Sequence, residues 1–381
     1  MTLLRATVYW HVYELSRSEA ALGLIGLVQF LPALLLTLVG GAAADAFDRR
    51  RLMRLAQLPY LASAALLSWA TAEGSITLPV LYAAVLANSV AFAFDSPARQ
   101  AFLPSLVPIA AFPRAVTLSS TATALAFASG PALAGLLIAA SGVEAAYAAY
   151  GALVLANWVG LGFVRPLRDV GARTAPSWHA VREGLAYVRR SPVLLGCMTL
   201  DLFAVVLGGA TALLPVFANE ILDVGPRGYG LLTSSLEIGA LAMSVFLVVR
   251  RPISRAGPAL LVAVAVYGLA TLGFGLSRSF PLSIVLYMVA GAADQISVVL
   301  RQTAIQLETP DALRGRVSAV NMMFIAASNQ LGAVESGFLA AATSATFAVV
   351  FGGIGCLVVV AWTAWKLPAL RRYRFGAAPA S

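Results

Sequence analysis

Four carboxylates lie where a carboxylate is hard to accommodate. Asp201, Glu237, Asp294 and Glu335 each fall inside a long apolar run. A charge at the centre of a bilayer costs about 2.5–3.5 kcal/mol on insertion scales, so such residues face a cavity or a partner. Burial in hydrocarbon also favours the protonated form of a carboxyl. Together these properties suit a group that takes up and releases a proton, and the four acids are candidate proton-coupling residues. The competing reading for each is a neutral, hydrogen-bonded packing group.

Other polar side chains share this depth. Gln29, Asn88, Asn321, Asn329 and Gln330 are candidates for lining a cavity or for bonding between helices. Asp95 and Arg99 are spaced i, i+4 and can pair on one helix face as a clasp at the membrane boundary. Gly130, Pro131 and Gly135 permit a kink and a close helix approach. Trp10, Trp158, Trp362 and Trp365 lie near the ends of apolar runs and read as interfacial anchors.

Enzyme chemistry is not visible. The only lysine is Lys366, and no glycine-rich phosphate loop precedes it, so an ATP site of the Walker type is not expected. The two histidines, His11 and His179, are far apart, and no Ser/His/Asp constellation or two-histidine metal motif is present. Cys197 and Cys356 both lie inside apolar runs, which argues against a disulfide framework or a metal cluster. No cofactor and no metal are expected.

The elements that must carry these residues are set by solvent. Of 381 residues, 60% are hydrophobic and only 11% are charged. A soluble protein carries roughly 25% charged residues, so lipid must solvate most of this surface. Spanning the hydrocarbon takes about 20 apolar residues in a helix. Runs of that size cover 20–44, 55–72, 78–94, 116–140, 145–164, 193–217, 229–249, 258–276, 281–300, 317–341 and 345–365. That predicts an all-α polytopic membrane protein with about 11 full spans. Ahead of them, Leu3 to Leu15 is interrupted by Arg5 and His11 and is too short and polar to span comfortably alone.

A net charge of +9 could point to nucleic acid. Its distribution argues against that partner. The basic residues cluster in alternate loops: Arg49, Arg50, Arg51 and Arg54, then Arg99 and Arg114, then 165–190, 250–255, 301–316 and 366–374. The intervening loops hold Arg17, Arg227 and Arg278, and Arg5 belongs to neither set. By the positive-inside rule the arginine-rich set is cytoplasmic, as is the C-terminus. A bacterial-type inner membrane, crossed many times, is the expected location.

The segment 165–192 is the longest polar stretch. In its second half Trp178, Val181, Leu185 and Val188 share one helix face while Arg182 and Arg189 share the other, with Ser177 as N-cap. A helix of this kind is expected on the cytoplasmic membrane surface, joining two halves. Those halves are related. Shifted by 202 positions, Arg99-Gln100 falls on Arg301-Gln302, Pro108 on Pro310, Arg114 on Arg316, Gly130 on Gly332 and Gly135 on Gly337. Apolar composition does not align Arg, Gln, Pro and Gly in one register, so the chain contains an internal repeat. Parallel repeats about a cytoplasmic linker fit a transporter whose substrate site lies between the halves.

Particular strings carry a resemblance. Gly41-xxx-Asp45-xxx-Arg49-Arg50-Arg51 resembles the loop motif between helices two and three of the major facilitator superfamily. The run Gly130 to Gly135 resembles the helix-five motif of its antiporters. "VQFLP" at 28–32, "FDSPARQAFLPSLVP" at 94–108, "EGLAYVRRSP" at 183–192, "LRGRVSAVNMMF" at 313–324 and "SNQLGAVESG" at 328–337 are similar to its enterobactin-exporter-like branch, which includes macrolide efflux proteins. The resemblance covers about residues 8–367.

It implies two pseudo-symmetric six-helix bundles, alternating access, and export of a siderophore or drug-like amphipathic molecule by proton antiport. It also implies a bundle over 1–164, a linker over 165–192, a bundle over 193–367, a tail over 368–381, and a monomer. Gating falls to Gly41, Asp45, Arg49 and Arg50, with Asp95, Arg99, Gly130, Pro131, Gly135, Arg301, Arg314 and Arg316 in supporting positions. Departures are Ala46, Ala134 and Ala333, where a basic residue, a glycine and an acid are usual. The family's first helix begins upstream of the residues matching Leu3–Leu15, so helix one is expected to be incomplete. The rival expectation is a degenerate, non-transporting membrane protein.

Overall fold

The computed structural model describes residues 1–164, 166–167, 178–250 and 253–375; the side chains at 33, 34, 37, 38, 45, 178–181 and 312 fall outside that description. Every regular element among the described residues is helical. The first part of the chain forms α1 (Thr2–Ser16), α2 (Glu19–Ala46), α3 (Arg49–Ala72), α4 (Leu78–Phe102) and α5 (Phe112–Phe163). After the polar segment come α6 (Trp178–Arg190), α7 (Pro192–Gly208), the single turn α8 (Leu214–Val216) and α9 (Gly225–Val249). They are followed by α10 (Ala256–Leu276), α11 (Phe280–Glu308), α12 (Asp311–Ala342), α13 (Ala345–Lys366) and the short α14 (Pro368–Arg372).

Local chemistry sets the boundaries. Asp48 caps α3 by accepting from the Arg51 amide at 2.7 Å, and Ser344 caps α13 by accepting from the Phe347 amide at 3.1 Å. Gly142 has φ 87° within the span of α5, a backbone state open to glycine, and it separates two helical legs that carry one apolar run each. Among the described residues, eight helices are long and apolar enough to cross a membrane. Ten of the eleven apolar runs lie on helices, with 116–140 and 145–164 both falling within α5, on either side of Gly142, while 193–217 runs along α7 and breaks at Gly209 before α8. The run at 55–72 lies on α3, whose first turns hold Arg49, Arg50, Arg51 and Arg54.

Packing follows the repeat. In the first half α4 packs on α2 and α3, while α5 packs on α3 and α1. In the second half α11 packs on α9 and α10, while α13 packs on α10 and α7. Two long pairings join the halves, α2 along α12 and α5 along α9. The largest buried cluster accordingly draws residues from both halves, from Leu3 and Tyr13 to Phe217, Tyr229 and Tyr287.

The structure bears on two expectations about elements. The C-terminal part of the apolar face of α6 rests on protein, while the Trp178 and Val181 side chains of that face fall outside the described residues. Val188 is 1% exposed and, with Leu185, packs against Leu194, Met198, Ile305, Val317 and Val320. A groove on the second half covers Leu185 and Val188, and the residues 168–177 leading into α6, with the proposed cap Ser177, lie outside the described residues. Trp10 is not an interfacial anchor: it is 6% exposed and its ring lies 5.4 Å from that of Tyr229.

Candidate functional site

Glycines carry both crossings between the halves. A Cβ placed on Gly135 of α5 would stand 2.8 Å from Gly230 Cα of α9, and one on Gly230 would stand 2.7 Å from the Pro131 carbonyl. At the other crossing a Cβ on Gly23 of α2 would stand 3.1 Å from Gly337 Cα of α12, and one on Gly26 would stand 2.8 Å from the Gln330 carbonyl. Backbones approach this closely only where no side chain intervenes. Gly135 and Gly337 are the repeat-related positions, so the same residue serves the equivalent crossing in each half.

The partner glycines match as well. A Cβ on Gly130 would meet Thr2 and Leu3 of α1, and one on Gly332 would meet the Val205 carbonyl at 2.7 Å. Position 3 shifted by 202 is position 205. The repeat therefore holds at the level of single contacts.

The repeat-related arginines diverge. Arg99 bonds Asp95 at 2.8 Å, on its own helix, with Asp95 buried and the arginine side chain 55% exposed. Arg301 on α11 instead pairs with Asp201 on α7, where the two side chains are 3% and 9% exposed. Arg49 donates to the carbonyls of Ala44 and Ala101 at 3.3 and 3.2 Å. Arg50 donates to the carbonyls of Leu161 at 2.9 Å and of Gly162. Both arginines thus tie helix C-termini in the first half, where carbonyls lack intrahelical partners. Arg316 pairs with Glu183 at 2.5 Å, fastening α12 to α6, and Arg314 pairs with Asp311 at 2.5 Å on the surface. Gly41 is buried. The Asp45 side chain lies outside the described residues, so its expected gating contact does too.

The four apolar-run acids are not brought together in one cluster. Asp201 and Asp294 line a small buried cavity with Tyr267 and Ser297, between α7, α10 and α11. Glu237 is partly buried on α9. Glu335, on α12, accepts from Ser336 Oγ at 3.3 Å, and the same hydroxyl lies 3.0 Å from the Gly209 carbonyl. Of the amides, Asn88 and Asn321 are buried, Gln29 and Gln330 are partly buried, and Asn329 is exposed while donating to the Ile325 carbonyl at 2.8 Å. The Asn88 side-chain oxygen is buried without a hydrogen-bond partner among the described residues.

Polar contacts that the sequence did not single out occur on α1. Tyr13 donates to Glu220, across the halves. Tyr229 donates to the Ala6 carbonyl at 3.0 Å, also across the halves. His11 Nδ1 lies 3.1 Å from the Tyr147 hydroxyl within the first half. Their only sequence signal is a hydroxyl or imidazole inside an apolar run, which does not name a partner.

An all-helical, lipid-solvated chain built from two repeats, crossing at glycines and holding ionisable groups between its helices, is a membrane transporter of the major facilitator class. Within that class the chain belongs to the transmembrane secretion effector family, whose model matches residues 3–374. It is 30% identical over 389 aligned residues to the multidrug efflux pump Tap of Mycobacterium tuberculosis, covering 95% of this chain and 88% of Tap. It is 24% identical to the enterobactin exporter EntS of Shigella boydii, covering 88% and 81%. Among solved structures, the fold is similar to a bacterial homologue of the human lysosomal transporter Spinster in an inward-facing, occupied conformation. That match has TM-score 0.74, 12% identity, and covers 100% and 97% of the two chains. The inward open xylose transporter XylE of E. coli matches at TM-score 0.69 and 14% identity, covering 96% and 94%.

Proposed function

We propose that this chain exports a small amphipathic molecule, siderophore or drug-like, by alternating access coupled to proton antiport. The observation that carries the reading is the paired glycine crossing. Equivalent glycines in the two repeats form equivalent hinge contacts, which suits two bodies that rock about them. Relatives that pump drugs or export enterobactin support the direction of transport.

The arrangement we propose is two six-helix bundles with about eleven full spans, bounded at 1–164 and 193–367, with the linker 165–192 and the tail 368–381 in the cytoplasm of a bacterial inner membrane, working as a monomer. Both glycine crossings lie toward the helix ends served by the loops of Arg17, Arg227 and Arg278. On the charge rule those ends face outward, so the closed face is external and the described state is inward-facing.

Proton coupling is assigned to the acids at membrane depth. Asp294 and Glu335 are the strongest pair. Asp294 borders a cavity near Asp201, and Glu335 stands beside the α2–α12 crossing. The test is pH-gradient-driven efflux of a fluorescent drug from proteoliposomes. Asp294→Asn and Glu335→Gln are expected to lower the driven component by about 10²-fold or more where one carries the coupling proton. Undiminished driven efflux in Asp201→Asn, Glu237→Gln, Asp294→Asn and Glu335→Gln alike overturns the coupling assignment.

A further inference from the structure

Arg5 is explained neither by loop charge nor by pairing. It lies in α1, and from Leu3 to Tyr13 every other residue of that helix is buried. Arg5 alone in this stretch is exposed. The rest of this stretch is covered by protein, so Arg5, with Met1 one turn before it, is where this end of α1 is accessible. Its guanidinium forms no ion pair among the described residues.

The groups around Arg5 belong to both halves. Its charge acts on Met1 and Tyr9 at its own end of α1, and on Tyr229, Glu237 and Tyr287 of the second half. Tyr229 donates to the Ala6 carbonyl at 3.0 Å, which pins α9 against α1 one residue beyond Arg5. The Thr211 and Tyr287 hydroxyls lie 3.0 Å apart within the second half. Arg5 therefore stands beside the place where α1 meets the second half.

An arginine at this depth without an ion-pair partner is unfavourable unless its charge is used. The guanidinium offers five donors in a planar fork that matches a carboxylate, sulfonate or phosphate. We propose that Arg5 is the anion-recognition residue, so that the exported molecule is held by a negatively charged group placed between α1, α9 and α11. This inference rests on the export reading and narrows its substrate class.

Binding to the purified full chain tests it. Carboxyfluorescein serves as an anionic probe and rhodamine 6G as a cationic one with the same ring system, each followed by fluorescence anisotropy in detergent. Wild type is expected to bind carboxyfluorescein saturably. Arg5→Gln is expected to weaken that binding at least about tenfold, and Arg5→Lys less, because truncating one side of a buried charge pair is costly. Rhodamine 6G binding by Arg5→Gln is expected to match wild type or exceed it, which also certifies the fold. Equal carboxyfluorescein affinity in wild type and Arg5→Gln, or no saturable binding by wild type, overturns the proposal. Anion binding that persists in protein inactive in proteoliposomes removes the export reading alone; working efflux with an indifferent Arg5→Gln removes the anion site alone.

Discussion

The divergence of Arg99 and Arg301 shows how two residues in one repeat register come to do different work. Arg301 is fixed between helices by Asp201, and both side chains are nearly inaccessible. Arg99 is held by its own helix and half exposed. Breaking a buried pair on one side leaves an uncompensated charge and costs about 3–5 kcal/mol, whereas removing both partners costs far less. Asp201→Asn and Arg301→Gln should each lower thermal stability in detergent markedly, and the double variant should be more stable than either single one. A double variant that loses the sum of the two singles would show that the residues do not act as a pair. The i, i+4 contact of Asp95 with Arg99 was legible from spacing alone. The Asp201–Arg301 pair was not, because sequence distance says nothing about which helices become neighbours, and an apolar run does not mark its buried face.

At the scale of elements, the glycine crossings make a sharper demand than the apolar runs. A Cβ on Gly135 would meet backbone of α9, and one on Gly337 would meet backbone of α2, so no flexible side chain can yield. Gly135→Leu and Gly337→Leu should insert normally, since leucine suits hydrocarbon, yet prevent the halves from closing at these ends. Driven efflux is expected to fall about tenfold or more, with single cysteines beside the crossing becoming more reactive to a membrane-impermeant maleimide. Full efflux in both variants would remove the crossings from the transport cycle. The register of Gly130, Gly135, Gly332 and Gly337 was readable in advance, because only a few residue types tolerate such approach and their spacing repeats. The fate of α6 was not. Its apolar face predicts that something covers Leu185 and Val188, and composition cannot tell lipid from the groove formed by Leu194, Met198 and Val317. Trp10 misled for the same reason: a tryptophan near the end of an apolar run suits an interface and suits a core.

For the whole molecule the claim is that one face must open for the cycle to proceed, and this can be stopped by a single covalent tie. At the α2–α12 crossing a Cβ on Gly26 would stand 2.9 Å from Ala333 Cβ. Disulfides hold their Cβ atoms about 3.5–4.5 Å apart, so a cysteine pair at these positions needs the helices to part by about 1 Å, which two facing helices can supply without losing register. The native cysteines, Cys197 and Cys356, are both buried and free, and replacement by serine or alanine gives a clean background. In that background Gly26→Cys with Ala333→Cys should form the bond on mild oxidation. Bonding should arrest pH-driven efflux while leaving the opposite, arginine-rich face open to a soluble thiol reagent. Dithiothreitol should restore efflux. Transport that continues unchanged with the bond in place would mean that α2 and α12 never separate, and the two halves would then have to be treated as one rigid body with the path for export lying elsewhere.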